Sequence, residues 1–119
     1  MESENKKFKY TLAQKKSLCI VSFVGIIDQE ASDDLEKCHQ EIKKANCSLV
    51  ILNFSDVSEI DQKGHRYLVQ IQKYVRDDLE GHVRVCGIKS SWKSELVEQG
   101  IIRNEEIHND LREALVEIN

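Results

Sequence analysis

The stretch that decides the fold runs from Ser48 to Leu79 and begins with the residues Ser48-Leu49-Val50-Ile51-Leu52-Asn53-Phe54. Polar and apolar residues do not alternate in this run, which is typical of a strand buried on both faces. A polar connection follows over 55–64, and apolar residues then repeat at helical spacing at Leu68, Ile71, Val75 and Leu79. This order places the connection at the carboxyl edge of a sheet, where α/β proteins build their sites.

The rest of the chain predicts strands alternating with helices. Strands are predicted over 8–13, 18–24 (ended by Gly25) and 83–88, with a stub at 101–102. Helices are predicted over 31–45, from Ser90 or Ser91 to Val97, and after Asn109. This order favours the α/β class, with one mixed, mostly parallel sheet covered by about four helices. A length of 119 residues fits a single domain over 8–119, preceded by a frayed segment over 1–7.

The helices have predicted inner faces and caps. The first helix should bury the stripe Ala31, Leu35, Cys38, Ile42 and Ala45, and the last should turn Leu111, Leu115 and Ile118 inward. Asp28 and Asp61 are predicted N-terminal caps, Ser90 or Ser91 and Asn109 cap the later helices, and Asn46 closes the first helix.

Composition excludes several classes of protein. A net charge of −4 gives no basic footprint for nucleic acid. The longest apolar run, Leu18 to Ile27, is too short to enter a bilayer as a span, and no signal peptide is recognised, so we expect a cytoplasmic protein. The four cysteines form no C-x-x-C pair, which predicts buried reduced thiols and no metal or cofactor.

Catalytic patterns are also lacking in the sequence. No nucleophile–base pair, no paired carboxylates at catalytic spacing and no glycine-rich phosphate loop is found, so we expect no enzyme. The four histidines, at 39, 65, 82 and 108, are scattered over helix faces and a turn, and are predicted to be solvated.

The helix after the central connection has an unusual charge order. It begins with Lys63, His65 and Arg66 and ends with Asp77 and Asp78, so both groups lie at the unfavourable end of the helix dipole. Two interpretations remain open: solvated charges, or a basic helix start that attracts an anion or an acidic partner.

Residues 53–64, Asn53-Phe54-Ser55-Asp56-Val57-Ser58-Glu59-Ile60-Asp61-Gln62-Lys63-Gly64, resemble the central loop of the STAS domain, the family of sulfate transporters and anti-sigma factor antagonists. The resemblance extends over about 8–118. It includes Gly25-Ile26-Ile27-Asp28 before the first helix, Val85-Cys86-Gly87-Ile88, and the segment closing at Gly100-Ile101. It implies a partner surface that includes Asp28, Ser58, Asp61, Gln62, Lys63, Gly64 and Arg66.

The sequence departs from the family at the phosphorylated position. Antagonists of this family usually carry Asp-Ser-Ser/Thr-Gly there, and a partner kinase modifies the hydroxyl before the glycine. Here Asp61 and Gly64 match, but Gln62 and Lys63 replace both hydroxyl residues. The resemblance therefore implies a non-enzymatic regulatory module with no phosphoacceptor at this position, although Ser55 and Ser58 lie upstream.

Two functions follow from the resemblance. The first is an anti-sigma factor antagonist whose protein partner is a GHKL-type serine kinase. The alternative is a ligand-sensing or transport-accessory STAS subunit in which the basic helix start holds an anion or nucleotide.

Overall fold

A computed structural model describes residues 7–116. The strands are β1 (Phe8–Lys15), β2 (Leu18–Ile27), β3 (Leu49–Ile60), β4 (His82–Cys86) and β5 (Ile107–His108). The helices are α1 (Ser32–Ala45), α2 (Gln62–Lys73), α3 (Ser90–Glu98) and α4 (Leu111–Ala114). Short 3₁₀ turns occupy Gln29–Ala31 and Asn104–Glu106, and a π-helical turn over Tyr74–Asp78 continues α2.

The five strands form one sheet in chain order, β1-β2-β3-β4-β5. β1 runs antiparallel to β2, and every later neighbour is parallel. Parallel neighbours need a crossover, and α1, α2 and α3 supply one for each parallel pair. The predicted α/β class with a mixed, mostly parallel sheet is therefore confirmed.

Three helices pack on one face of the sheet. Alternate strand residues such as Val21, Leu52 and Val85 share a single core with α1, α2 and α3. The predicted stripe of α1 is confirmed at Ala31, Leu35, Cys38 and Ile42, which are buried, whereas Ala45 is half-buried. Asn46 ends α1 in the left-handed conformation with φ 53°, as the cap prediction requires.

The opposite face of the sheet is covered only in part. Ile51 and Cys86 pack there against Ala114 of α4, with Leu18, Ile20 and Leu111 around them. The predicted inward position of Leu115 is wrong, since it is 36% exposed and the buried residue of this short helix is Ala114. Ile118 lies outside the described residues, as does most of the predicted frayed segment; the carbonyl of Lys7 accepts a hydrogen bond from Ile26.

The two central strands are longer than predicted. β3 continues to Ile60, so most of the expected loop over 55–64 is strand, and β2 continues past Gly25 to Ile27. The ends of β2 and β3 pair with each other across two register shifts, one between Ser22 and Val24 and one between Gly25 and Ile26. The end of β3 is polar because β4 pairs only as far as Asn53, which leaves 55–60 with a single neighbouring strand.

The C-terminal third differs from prediction in its caps and its last strand. Lys89 precedes α3 and makes no side-chain cap, so neither Ser90 nor Ser91 acts as one, and Asp110 rather than Asn109 caps α4. The fifth strand is Ile107–His108, not 101–102. Ile102 is buried, which explains the apolar signal there without a strand.

Two of the four cysteines are paired. Cys19 and Cys47 form a disulfide with Cα atoms 6.1 Å apart, so the prediction of four reduced thiols is wrong for this pair. Although 28 positions separate them in sequence, Cys19 is the second residue of β2 and Cys47 lies two residues before the start of the neighbouring strand β3. Cys38 and Cys86 are free and buried, and burial raises the pKa of the Cys38 thiol to about 12 and that of Cys86 to about 11.

The histidines are not all solvated. His65 is only 9% exposed and faces the core from the first turn of α2. His39 is half-buried beside Tyr74, with ring centroids 5.3 Å apart. His108 is also half-buried, and only His82 is exposed, so the prediction of solvated histidines holds for His82 and is wrong for His65, with His39 and His108 between the two. No helix in the described part of the chain is long and apolar enough to cross a membrane.

Candidate functional site

The candidate site lies where β2 and β3 end together at the carboxyl edge of the sheet. Ile27 pairs with Ile60 as the last matched residues of the two strands, and the N–H of Asp61 donates to the carbonyl of Ile27 at 2.8 Å. Asp28 and Asp61 follow directly, so a pairing between two buried strands brings these aspartates together although 33 residues separate them.

Both aspartates act as caps of the same kind. Asp28 accepts the N–H of Glu30 on its Oδ1 at 2.9 Å, and Asp61 accepts the N–H of Lys63 on its Oδ1 at 2.9 Å. Both cap predictions are confirmed, with the difference that Asp28 caps the 3₁₀ turn before α1 rather than α1 itself. Each carboxylate uses one oxygen in this way, and within residues 7–116 the other makes no hydrogen bond.

Gly64 is at the site for a packing reason. The first turn of α2 lies so close to the end of β2 that a Cβ on Gly64 would stand 2.7 Å from Cγ2 of Ile27 and 3.0 Å from its carbonyl oxygen. Real Cβ atoms do not approach that closely, so any other residue would push α2 away from β2. Gly64 is buried, and its close packing against Ile27 sets the position of the neighbouring Lys63.

An acidic depression of about 450 Å³ lies at this edge, and it is lined by Asp28, Gln29, Glu30, Asp61 and Lys63. Its lining includes three carboxylates and one ammonium group, and α2 has no acidic residue in its first turn. The charges of Asp28 and Glu30 thus compensate in part for the unfavourable position of Lys63 at the helix start. The depression presents both signs of charge to a partner.

The remaining predicted site residues lie around this depression and not in it. Ser58 is the exposed extra residue of the β3 register shift, between Val57 and Glu59. Gln62 is exposed at the first position of α2, and the Arg66 guanidinium lies 5.2 Å from the centre of the Tyr67 ring. The structure therefore brings Asp28, Asp61 and Lys63 into one depression, whereas Ser58, Gln62 and Arg66 do not line it.

Sequence reasoning missed Gln29 and Glu30. Both are exposed and line the depression, and Glu30 also lies 4.0 Å from the ammonium of Lys7. Their position immediately after the predicted cap Asp28 was the available signal, because the residues that follow an exposed cap lie in the same first turn. Among the described residues, no group of three or more His, Cys, Asp or Glu side chains could hold a metal ion.

Comparison with known proteins agrees with this architecture. An anti-sigma factor antagonist from Mycobacterium paratuberculosis superposes with a TM-score of 0.76 at 16% identity, over 91% of each chain. The Bacillus cell fate determinant SpoIIAA in its phosphorylated form gives 0.70 at 14% identity, over 92% of this chain and 97% of that one. A sulfate transporter family protein from Wolinella succinogenes gives 0.70 at 20% identity, over 87% and 85%.

At these identities the solved structures establish the fold alone. No curated protein sequence matches the chain. The family model of the STAS domain matches residues 9–114, which is nearly all of the described structure and includes every residue of the candidate site. The chain belongs to the STAS domain family.

Proposed function

We propose that this protein is a non-enzymatic regulatory module of the anti-sigma factor antagonist type, which binds a GHKL-type serine kinase in the cytoplasm. The partner surface consists of the depression defined by Asp28, Gln29, Glu30, Asp61 and Lys63, together with Ser58, Gln62 and Arg66. The observation that carries the proposal is the pair of capping aspartates at the joined ends of β2 and β3, Asp61 exposed and Asp28 half-buried, each with an oxygen left for a partner.

The residue at the acceptor position of this surface argues against the usual phosphorylation. Lys63 stands where the family carries its acceptor hydroxyl, and its side chain is exposed. A lysine ammonium is not a substrate for a serine kinase, and its charge is opposite to that of phosphoserine. We propose that binding to the partner is therefore not released by modification at 61–64.

The electrostatics favour a protein partner over an anion. A bound anion would meet the carboxylates of Asp28, Glu30 and Asp61 in a lining whose one cation is Lys63. Like charges at this range oppose binding, whereas a protein surface can supply groups of both signs. This observation lowers the support for the ligand-sensing or transport-accessory alternative.

A kinase assay tests the proposal. The protein is incubated with ATP and the GHKL-type kinase encoded nearest to its gene, and phosphorylation is mapped by mass spectrometry. Binding without modification at 61–64 is expected for the wild type, and Lys63→Ser is expected to gain phosphate at position 63. Stoichiometric phosphate on Ser58, the exposed serine of the register shift, would show that the switch had moved and not been lost.

A binding comparison gives the matched control. Lys63→Glu and Lys93→Glu change the net charge equally, but Lys93 is exposed on α3, away from the depression. The first should weaken binding to the kinase and the second should not. If both bind like the wild type, the Lys63 ammonium does not contribute to kinase binding.

A further inference from the structure

The outer edge of β1 is unoccupied in the described structure. β1 is the first strand of the sheet, and its eight residues pair only with β2. An edge of this length presents a row of backbone donors and acceptors on which another strand can pair. The edge runs along the side of the sheet, and its start at Phe8 lies beside Asp28 and Glu30 of the depression, whereas Lys15 is at the opposite end of the strand.

The register shows which backbone groups are free. The N–H of Ile26 donates to the carbonyl of Lys7 at 2.8 Å, one step before the pair of Phe8 with Gly25. Because hydrogen-bonded and non-hydrogen-bonded pairs alternate along an antiparallel ladder, the odd-numbered residues of β1 bond β2. The even-numbered residues, Phe8, Tyr10, Leu12 and Gln14, therefore direct their N–H and C=O groups outward, and none of these groups bonds a turn, loop or side chain within residues 7–116.

The same hairpin is basic in an acidic protein. Residues 7–27 contain four lysines and neither aspartate nor glutamate, although the net charge of the chain is −4. Lys9, Thr11, Ala13 and Lys15 are exposed and alternate with Phe8, Tyr10 and Leu12, which pack into the core. In the described part of the chain, no ion pair involves Lys9, Lys15 or Lys16.

We propose that the edge of β1 accepts an extended acidic segment of a partner protein as an added strand. The outward amides and carbonyls match a peptide backbone, and the lysines select a segment that carries carboxylates. A second copy of this chain is disfavoured, because its own β1 would bring lysines against lysines. A DNA strand would satisfy the lysines, but its sugar–phosphate backbone has no donors for the outward carbonyls.

The spacing of the lysines defines a probe. Lys9 and Lys15 are six residues apart on one face of the strand, which corresponds to roughly 20 Å. A nine-residue peptide with glutamate at its second and eighth positions, and alternating threonine and valine elsewhere, places two carboxylates at the same separation. A control peptide carries lysine at those two positions, and a second control carries N-methyl groups on the amides that would pair with β1.

The experiment measures peptide binding and amide hydrogen exchange by NMR at low salt. The acidic peptide should slow exchange at Phe8, Tyr10, Leu12 and Gln14, and both control peptides should bind at least tenfold more weakly. The double variant Lys9→Glu/Lys15→Glu should bind the acidic peptide at least tenfold more weakly than the wild type does. The double variant Lys44→Glu/Lys93→Glu makes the same change of charge at exposed helix positions, and its affinity for the acidic peptide should stay within twofold of the wild-type value.

Several results would overturn the proposal. These are no binding of the acidic peptide, protection confined to amides outside β1, or full affinity of the N-methylated peptide. Tighter binding of a single-stranded oligonucleotide with equal effects of both double variants would identify a diffuse basic surface instead. Protection of the same four amides that rises with protein concentration alone would assign the edge to a second copy.

Discussion

Arg76 in the π-helical turn after α2 pairs with Glu106, thirty residues later, and both side chains are mostly buried at 17% and 16% exposure. The guanidinium donates from Nε to one carboxylate oxygen at 3.1 Å and from Nη2 to the other, and Nη2 also donates to Oε1 of Gln72 at 2.9 Å. The Gln72 amide in turn donates to the carbonyl of Ile101 at 2.9 Å. This network joins the end of α2 to the segment that leads into β5.

Removing one partner of this pair should be costly. Arg76→Met leaves the Glu106 carboxylate largely buried without its cation, which should reduce the free energy of unfolding by roughly 3 kcal/mol. Arg76→Met/Glu106→Leu should recover much of that loss, since no unpaired charge then remains. Urea denaturation measures both, with Arg103→Met at an exposed position as control. A loss from Arg76→Met no larger than that of the control would mean that the pair contributes nothing.

The buried stripe of α1 should be sensitive to truncation. Ile42 is fully buried, so Ile42→Ala should cost roughly 2–5 kcal/mol through lost burial and the cavity it leaves. Lys44→Ala on the exposed face should cost less than about 0.5 kcal/mol. Lys43 is a poorer control than Lys44, because its ammonium lies 5.3 Å from the centre of the Tyr74 ring. Equal losses from Ile42→Ala and Lys44→Ala in denaturant melts would contradict the observed phase of α1.

Reducing the disulfide should destabilise the fold. The bond closes a loop between Cys19 and Cys47, and a loop with their 28-residue separation corresponds to roughly 3–4 kcal/mol in the chain-entropy treatment. Denaturation with and without a dithiol reductant measures the difference, and Cys19→Ala/Cys47→Ala should be insensitive to the reductant. In the cytoplasm such a bond is ordinarily kept reduced, so the reduced stability is the relevant one there. Alkylation of four thiols in the unfolded, unreduced protein would show that no bond forms.

His39 should make stability depend on pH. Burial lowers the pKa of His39, and Lys43 lowers it further, while Glu36 and Asp78 act in the opposite direction. Its Nε2 atom is buried without a hydrogen-bond partner in the described structure. The unfolded chain therefore binds this proton more readily, so stability is constant above an unfolded pKa of about 6.5 and falls as the pH drops below it. His39→Gln should flatten the pH dependence of the melting temperature between pH 7 and 5. An unchanged slope would assign that pH dependence to other groups.

The parts of the molecule that could be predicted from sequence are those with a local signal. The α1 stripe, the Asn46 and Asp61 caps and the parallel sheet all follow from periodicity or from residue types with a single strong preference. The disulfide and the Gln72–Arg76–Glu106 network depend on contacts between residues about 30 positions apart, and no short pattern marks such contacts. The end of β3 was mistaken for a loop because a strand with one neighbour carries the polar composition of a turn.

Lys63 distinguishes a binding surface from a solvated one. Lys63→Glu places an acid at the start of α2, which the dipole favours by about 0.3–1 kcal/mol, but adds it to a depression that already holds Asp28, Glu30 and Asp61. Because these effects oppose each other, the free energy of unfolding should change by less than about 0.5 kcal/mol.

Affinity for the kinase should fall by about 2 kcal/mol if the ammonium contacts an acidic group of the partner. Added salt should then weaken the wild-type complex more than the variant complex, because only the wild type has that attraction to screen. Unfolding and binding titrations at low and high salt measure all four quantities. An unchanged affinity at both salt concentrations would leave Lys63 as a solvated charge and assign partner binding to Asp28 and Asp61.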